Sequence, residues 1–338
     1  MDTAAVMESV VLSLICVISL TGNLSLFLIV FYGNKNLRTV SNAFMLNLAF
    51  ADVIVSIINM PITVATTIAE KQWFSHGVCV VLGFTNIISF IGSVMSLALM
   101  AINRYFYIVH WKKYTAIFNK KRACVSVLIL WLITVLIAMP PLIGWSSYSF
   151  IPGKSYCFVD WQADAYYMYF MLSICFFGPL VTMIFCYSKI LKFTGKVKRR
   201  IINAEHGVTH AFGQGDKRHD WLFKSRLSPE EVKLTNTLLI VVSAFLICWT
   251  PFAITMFFDV YSSKPLPRAI DMGSLLLGYL NSMCNPIIYA ARNRQFKNGF
   301  IDLFSHCFPC FKKHRETTII HINITSSNTE GNSGAAKK

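Results

Sequence analysis

The chain has 338 residues, 55% of them hydrophobic and 14% charged, with a formal charge of +15. Soluble domains carry roughly 25% charged residues, so the composition excludes a soluble globular protein and indicates an integral membrane protein. The basic excess needs no nucleic acid, because anionic inner-leaflet lipid accounts for it.

The leader "MDTAAVMES" has acids but neither a basic n-region nor a small-residue cleavage signal. Residues 1–8 therefore read as a short outer N-terminus and the first span as an uncleaved signal anchor. Uncharged or nearly uncharged stretches follow at 9–32, 42–66, 77–103, 123–144, 166–188, 236–259 and 272–291. Each holds the ~20 apolar residues that a membrane helix needs. The expected fold is all-α, a seven-transmembrane helix bundle over residues 9–291. With the N-terminus outside, the inner segments carry 27 of the 31 lysines and arginines: 2, 6 and 11 in the three loops and 8 after the last span. Lys71, Lys154, Lys264 and Arg268 remain outside, which is a positive-inside pattern.

Among the spans, one ionisable side chain sits near mid-membrane: Asp52 in "NLAFADVIV". An intramembrane acid points to function by default; the alternative is a protonated carboxyl held by neighbouring hydroxyls. Asn23, Asn47, Ser93, Asn281 and Asn285 supply further oxygens and amides, able to satisfy Asp52 or to coordinate a small cation. Asn281, Asn285 and Tyr289 share one face of the last helix. Pro61, Pro179, Pro251 and Pro286 are expected to bend their helices. Cys79 and Cys157 are the cysteines that face an oxidising compartment, which predicts a Cys79–Cys157 bridge against the alternative of two free thiols.

The third inner loop, about 189–235, has a polar, glycine-containing middle that reads as disordered. Its end, "SPEE", reads as a helix start capped by Ser228, with Pro229 at the first position. Residues 292–310 place Phe296, Phe300, Leu303 and Phe304 at helical spacing between charges, which predicts a short amphipathic eighth helix on the inner surface. Cys307 and Cys310 beside it are candidates for palmitoylation, or plain reduced thiols. Residues 311–338 read as a disordered cytoplasmic tail.

"TGN" with Asn23, "NLAFAD" with Asp52, "INRYFYIVH" around Arg104, Trp131, Pro179 with Tyr187, "CWTP" and "NPIIY" occur one set per helix, in order. Together they resemble the rhodopsin-like (class A) G-protein-coupled receptors over nearly the whole membrane region. The resemblance implies a resting ionic lock between Arg104 and Glu231, released as the sixth helix swings outward. Arg104, Tyr187 and Tyr289 would then line the opening that admits a heterotrimeric G protein. Trp249 beside Pro251 would couple the ligand pocket to that swing, and Pro286 would belong to the moving inner half of the last helix. Asp52, Ser93, Asn281, Ser282 and Asn285 match the family's sodium pocket, so an allosteric sodium ion is expected and no other cofactor. Asn103 replaces the usual acid before Arg104, which is expected to loosen the lock and raise basal signalling.

The second outer loop is similar to that of opsins, yet Tyr279 stands where opsins carry the retinal lysine and Leu82 at their counterion site. Amine receptors carry an aspartate where this chain has Asn86. Melatonin receptors share the N-R-Y variant, although they usually have alanine where Pro286 stands. The resemblance thus places the chain in an opsin–melatonin neighbourhood, as a plasma-membrane receptor for an extracellular small molecule. Asn86, Trp249, Phe252 and Tyr279 are candidate ligand contacts for a mostly neutral molecule, with ordinary bundle packing as the alternative for each. Membrane lipid and an arrestin-like protein are further expected partners, the latter through Thr317, Thr318, Ser326, Ser327, Thr329 and Ser333 if phosphorylated. A retinal-binding photoreceptor without the Schiff-base lysine is one competing reading. A channel or transporter is another, disfavoured by the single mid-membrane acid. No nucleophile–base pair stands out, so no enzyme is expected.

Overall fold

The computed structural model describes residues 3–33, 35–205, 229–262 and 264–307. The described bundle has α1 at Thr3–Tyr32, α2 at Val40–Ala69, α3 at His76–Ile108 and α4 at Lys120–Ala138. α5 runs from Ala165–Met171 through a π-helical turn, Leu172–Phe177, into Gly178–Glu205. α6 is Pro229–Tyr261, α7 is Arg268–Arg292 and α8 is Arg294–Cys307. A short helix, Trp111–Ile117, lies in the second inner loop. In the second outer loop β1 (Tyr148–Ile151) pairs antiparallel with β2 (Tyr156–Val159), with Phe150 opposite Cys157.

The bundle exposes apolar side chains and buries polar ones within its hydrophobic core. Leu14, Leu128, Leu132, Val181 and Ile247 are exposed, whereas Ser19, Asn23, Asn47, Asp52 and Ser56 are buried. That inversion suits a hydrocarbon solvent, which solvates leucine well and leaves unpaired amides at high cost. Six of the helices are long and apolar enough to cross a membrane by composition alone. α7 falls short because its buried face carries Asn281, Ser282, Asn285 and Tyr289. α3 runs through the centre, packing against α2, α4, α5 and both strands, while α7 packs against α1 and α6.

Several boundaries differ from those the sequence suggested, each for a local reason. α1 starts at Thr3, and Glu8 in its first turns pairs with Arg268 at 2.8 Å, so its outer end is held to α7. α4 stops at Ala138 because Pro140 and Pro141 follow, and neither has the backbone N–H that would continue the helical ladder. Pro61 and Pro179 follow π-helical turns at Val55–Asn59 and Leu172–Phe177. The extra residue of such a turn relieves the clash between a proline ring and the preceding turn. Pro251 and Pro286 lie inside continuous helices. α5 continues to Glu205 and α6 begins at Pro229, both well beyond the apolar spans. The expected cap Ser228 and the polar middle of that loop lie outside the described residues, as do Cys310 and the tail with its phosphorylation candidates.

Phe296 of α8 is buried against Tyr289, with ring centroids 6.3 Å apart, and Gly299 lets α8 approach Ile29 of α1. The amphipathic helix is thereby docked on the inner ends of α7 and α1. The hairpin β1–β2 has no counterpart among the sequence expectations; its four-residue strands are too short to give a readable alternation.

Candidate functional site

Asp52 is 1% exposed and fully engaged by α7. Ser282 Oγ donates to its Oδ1 at 2.8 Å and Asn285 Nδ2 donates to its Oδ2 at 2.7 Å. The polar face of α7 therefore meets the buried acid. Asn23 and Asn47 do not bond it. Asn23 Nδ2 instead donates to the carbonyls of Ser19 and Ser282, at 2.9 and 3.0 Å. Asn47 joins Ser96 at 2.7 Å and accepts from Trp131 Nε1 at 2.8 Å, tying α2 to α3 and α4. The Oδ1 atoms of Asn281 and Asn285 are buried without a hydrogen-bond partner. Ser93 and Asn281 line the cleft that lies above Asp52.

That cleft is open in part to its surroundings. Asn86, Phe252, Tyr279 and Trp249 all line it, together with Tyr156 and Phe158 of β2. Among the described residues, none of those lining it carries a carboxylate, ammonium or guanidinium. Two of the candidate ligand contacts already have protein partners. Asn86 Nδ2 donates to the carbonyl of Cys157 at 3.2 Å, and Tyr279 Oη donates to Asn86 Oδ1 at 3.4 Å. Trp249 packs on Phe90 at 4.5 Å and Phe252 at 5.6 Å, and its Nε1 is buried without a partner. Gly278 lets α7 approach this ring; a Cβ there would lie 3.3 Å from it.

The hairpin roofs the cleft. Cys157 is bonded to Cys79 at the outer end of α3. Lys154, in the hairpin turn and 2% exposed, pairs with Asp259 of α6 at 3.0 Å and Asp271 of α7 at 2.9 Å. Gly153 is required beside it, because a Cβ would collide with the Asp271 carboxylate. Burial, with Tyr279, Asp259 and Asp271 nearby, holds the Tyr156 hydroxyl well above its usual pKa, so the roof presents a neutral phenol. Sequence reasoning placed Lys154 only on the outer side and gave Asp259 and Asp271 no role. Their partners are far apart in the chain, and only the hairpin's fold brings them together.

At the inner end Arg104, 3% exposed, donates through an Nη to Glu231 at 2.7 Å. Tyr107 Oη also donates to Glu231, at 3.2 Å, and Arg104 lies 5.4 Å from the Tyr107 ring centroid. Tyr107 is a member of the clasp that the sequence did not single out. Asn103 faces elsewhere: its Oδ1 accepts from Ser41 at 2.8 Å and its Nδ2 donates to Tyr114 Oη at 3.3 Å. The hydroxyls of Tyr187 and Tyr289 are buried without partners near this clasp. Cys307 ends α8, its side chain outside what is described.

The family model described as "7 transmembrane receptor (rhodopsin family)" matches residues 22–289. The chain is 28% identical to the Alpha-1A adrenergic receptor of Oryzias latipes, over 97% of its own length and 73% of that protein. It is 30% identical to the Melatonin receptor type 1A of Mus musculus, over 84% of its length and 76% of that receptor. The crystal structure of squid rhodopsin matches its fold with a TM-score of 0.77 at 23% identity, covering 92% of this chain and 88% of that one.

Proposed function

Because the chain belongs to the rhodopsin family of seven-transmembrane receptors, it is a G-protein-coupled receptor, and we propose that its ligand is an uncharged small molecule bound in the Trp249 cleft. The observation that carries this reading is the chemistry of the cleft. Among the described residues its lining has no charged side chain, and by the resemblance Asn86 stands where amine receptors hold an aspartate. A buried ammonium without a counter-charge would be strongly disfavoured. That favours the melatonin-receptor side of the relatives over the adrenergic and octopamine side. Tyr279, held by Asn86 and Thr63, disfavours covalent retinal on α7.

In the resting geometry the Arg104–Glu231 pair ties α3 to α6. A ligand in the cleft presses on Trp249, two residues before Pro251, where α6 lacks a backbone hydrogen bond and bends most readily. Outward movement of α6 parts the clasp and frees Arg104, with the unpartnered hydroxyls of Tyr187 and Tyr289 available to a G-protein segment. Asp52, Ser93, Asn281, Ser282 and Asn285 fit a sodium ion. They offer oxygen donors only, and two of those oxygens are buried without partners. Bound there, sodium would counter the Asp52 charge and favour the resting packing of α2 on α7.

The positive-inside pattern and the bonded Cys79–Cys157 pair support a plasma-membrane receptor with its N-terminus outside. Lipid contact through α8, palmitoylation at Cys307 and Cys310, and an arrestin-like partner at a phosphorylated tail complete the proposal. The test is nucleotide exchange on purified G proteins by receptor in nanodiscs, screened with uncharged small molecules beside amines such as octopamine. Stimulation is expected from uncharged compounds; hits confined to amines would overturn the assignment.

A further inference from the structure

α6 and α7 meet closely along their outer halves. Thr255 and Ser274 join hydroxyls at 3.3 Å, and a Cβ on Gly278 would lie 3.3 Å from the Trp249 ring. Lys154 binds one aspartate on each helix. Further inward on the same two helices, Cys248 of α6 and Cys284 of α7 are hydrogen-bonded to each other, both as free thiols. Cys248 directly precedes Trp249, and Cys284 directly precedes Asn285, which holds Asp52. The pair therefore links the two elements that the proposed activation rearranges. Thiols elsewhere in the bundle meet other groups. Cys16 Sγ donates to the Ser56 carbonyl at 3.2 Å, and Cys175 Sγ donates to the Met171 sulfur at 4.0 Å. Neither of those contacts can become a disulfide.

A thiol is a weak donor, so in the reduced state the pair adds little to the packing of α6 on α7. Joined covalently it is a staple. Cys248 lies on the inner side of Pro251, on the segment of α6 that carries Glu231, so a bond from there to α7 tethers that segment close to its pivot. Cys248 is 4% exposed and Cys284 only half-buried. An incoming oxidant therefore meets Cys284 first, with Cys248 behind it as the resolving thiol. We propose that Cys248 and Cys284 form a redox modification site, closed to a disulfide by hydrogen peroxide, that pins α6 to α7 in the resting packing. A small uncharged oxidant suits a membrane interior that disfavours charge. In the first step the Cys284 sulfur attacks one peroxide oxygen and the O–O bond breaks, leaving a sulfenic acid on Cys284 and one water. In the second step the Cys248 sulfur attacks the sulfenic sulfur. The S–O bond breaks, the S–S bond forms, and the hydroxyl leaves with the Cys248 proton as a second water. Two thiols thus lose two electrons as one peroxide is reduced to two waters. The consequence for signalling rests on the reading of α6 as the moving helix of a G-protein-coupled receptor.

The test uses full-length receptor, purified anaerobically into lipid nanodiscs and treated with hydrogen peroxide at graded concentrations. Remaining thiols are capped with N-ethylmaleimide, and the digest is read by mass spectrometry without reduction. The expected result is a peptide linked through Cys248 and Cys284, with a thermal midpoint raised by several degrees. Ligand-independent nucleotide exchange on the same samples should fall about fivefold, at the lower end of usual coupling effects. Cys284→Ser keeps the exchange of untreated receptor and loses all three responses to peroxide; Cys284→Ala serves if the serine variant misfolds. The exposed Cys124 reports that oxidation took place. Absence of the linked peptide where Cys124 is oxidised overturns the proposal. So does an equal fall in exchange in Cys284→Ser, which would assign the response to other cysteines. A linked peptide with midpoint and exchange both unchanged overturns the staple. Untreated receptor that exchanges no nucleotide counts against the receptor reading instead, and the linked peptide and the midpoint then decide the staple by themselves.

Discussion

Asp52 is the residue at which the bundle's polar interior meets. Ser282 and Asn285 satisfy it in the structure, while the neighbouring amide oxygens of Asn281 and Asn285 stay unpaired. Asp52→Asn removes the charge but keeps the size. Agonist affinity measured in sodium against choline should then no longer differ, and an undiminished sodium response would sink the sodium assignment. The inner clasp gives a second test. Glu231→Gln leaves Arg104 without its counter-charge in the resting state alone, so basal nucleotide exchange should rise about fivefold, within the usual range of coupling energies. Asn103 bonds Ser41 and Tyr114. Asn103→Asp adds a negative charge one residue from Arg104 and should lower basal exchange; an increase would show that the missing acid has no bearing on the lock.

Elements are shaped here by close approaches that small residues permit. A Cβ on Gly22 would lie 2.6 Å from Pro286 Cγ, so α1 and α7 meet at a glycine–proline contact in the inner half of the bundle. Gly22→Ala should cost about 1–3 kcal/mol of overpacking, read as a thermal midpoint lower by a few degrees in detergent. Pro286→Ala in the same chain should recover part of that loss, because the two changes share one contact. Pro61 and Pro179 were expected to bend their helices, but the π-helical turns that accommodate them were not legible in the sequence. Such a turn depends on which register lets the outer half of the helix pack, and the local sequence does not record that.

At the scale of the molecule the outer lid is the feature that holds distant segments together. The Cys79–Cys157 bond closes a loop with a sequence separation of 78 residues, worth about 4–5 kcal/mol by chain entropy. Cys157→Ser should lower the thermal midpoint and the amount of folded receptor at the cell surface. Lys154→Met alone strands Asp259 and Asp271, and removing one partner from a buried ion pair typically costs about 3–5 kcal/mol. Adding Asp259→Asn and Asp271→Asn should restore most of the midpoint. A triple variant no better than the single one would show that Lys154 acts by packing and not by charge.

The sequence by itself determined the class of solvent and the helical-bundle fold, and it supplied the expectations for orientation and for the switch residues. Each of these is written in local composition or in a short motif: a run of ~20 apolar residues, a count of lysines, an asparagine beside a proline. It also named Cys79 and Cys157, because topology put those two on the oxidising side. Only the tertiary structure decided where those residues point. It turned Asn47 toward Trp131 and away from Asp52, and tied Asn86 to the lid. It buried Lys154 between two acids. The physical reason is that hydrogen-bond and ion-pair partners here lie up to 260 residues apart in the chain. A partner at that distance is chosen by packing geometry, which no window of sequence contains.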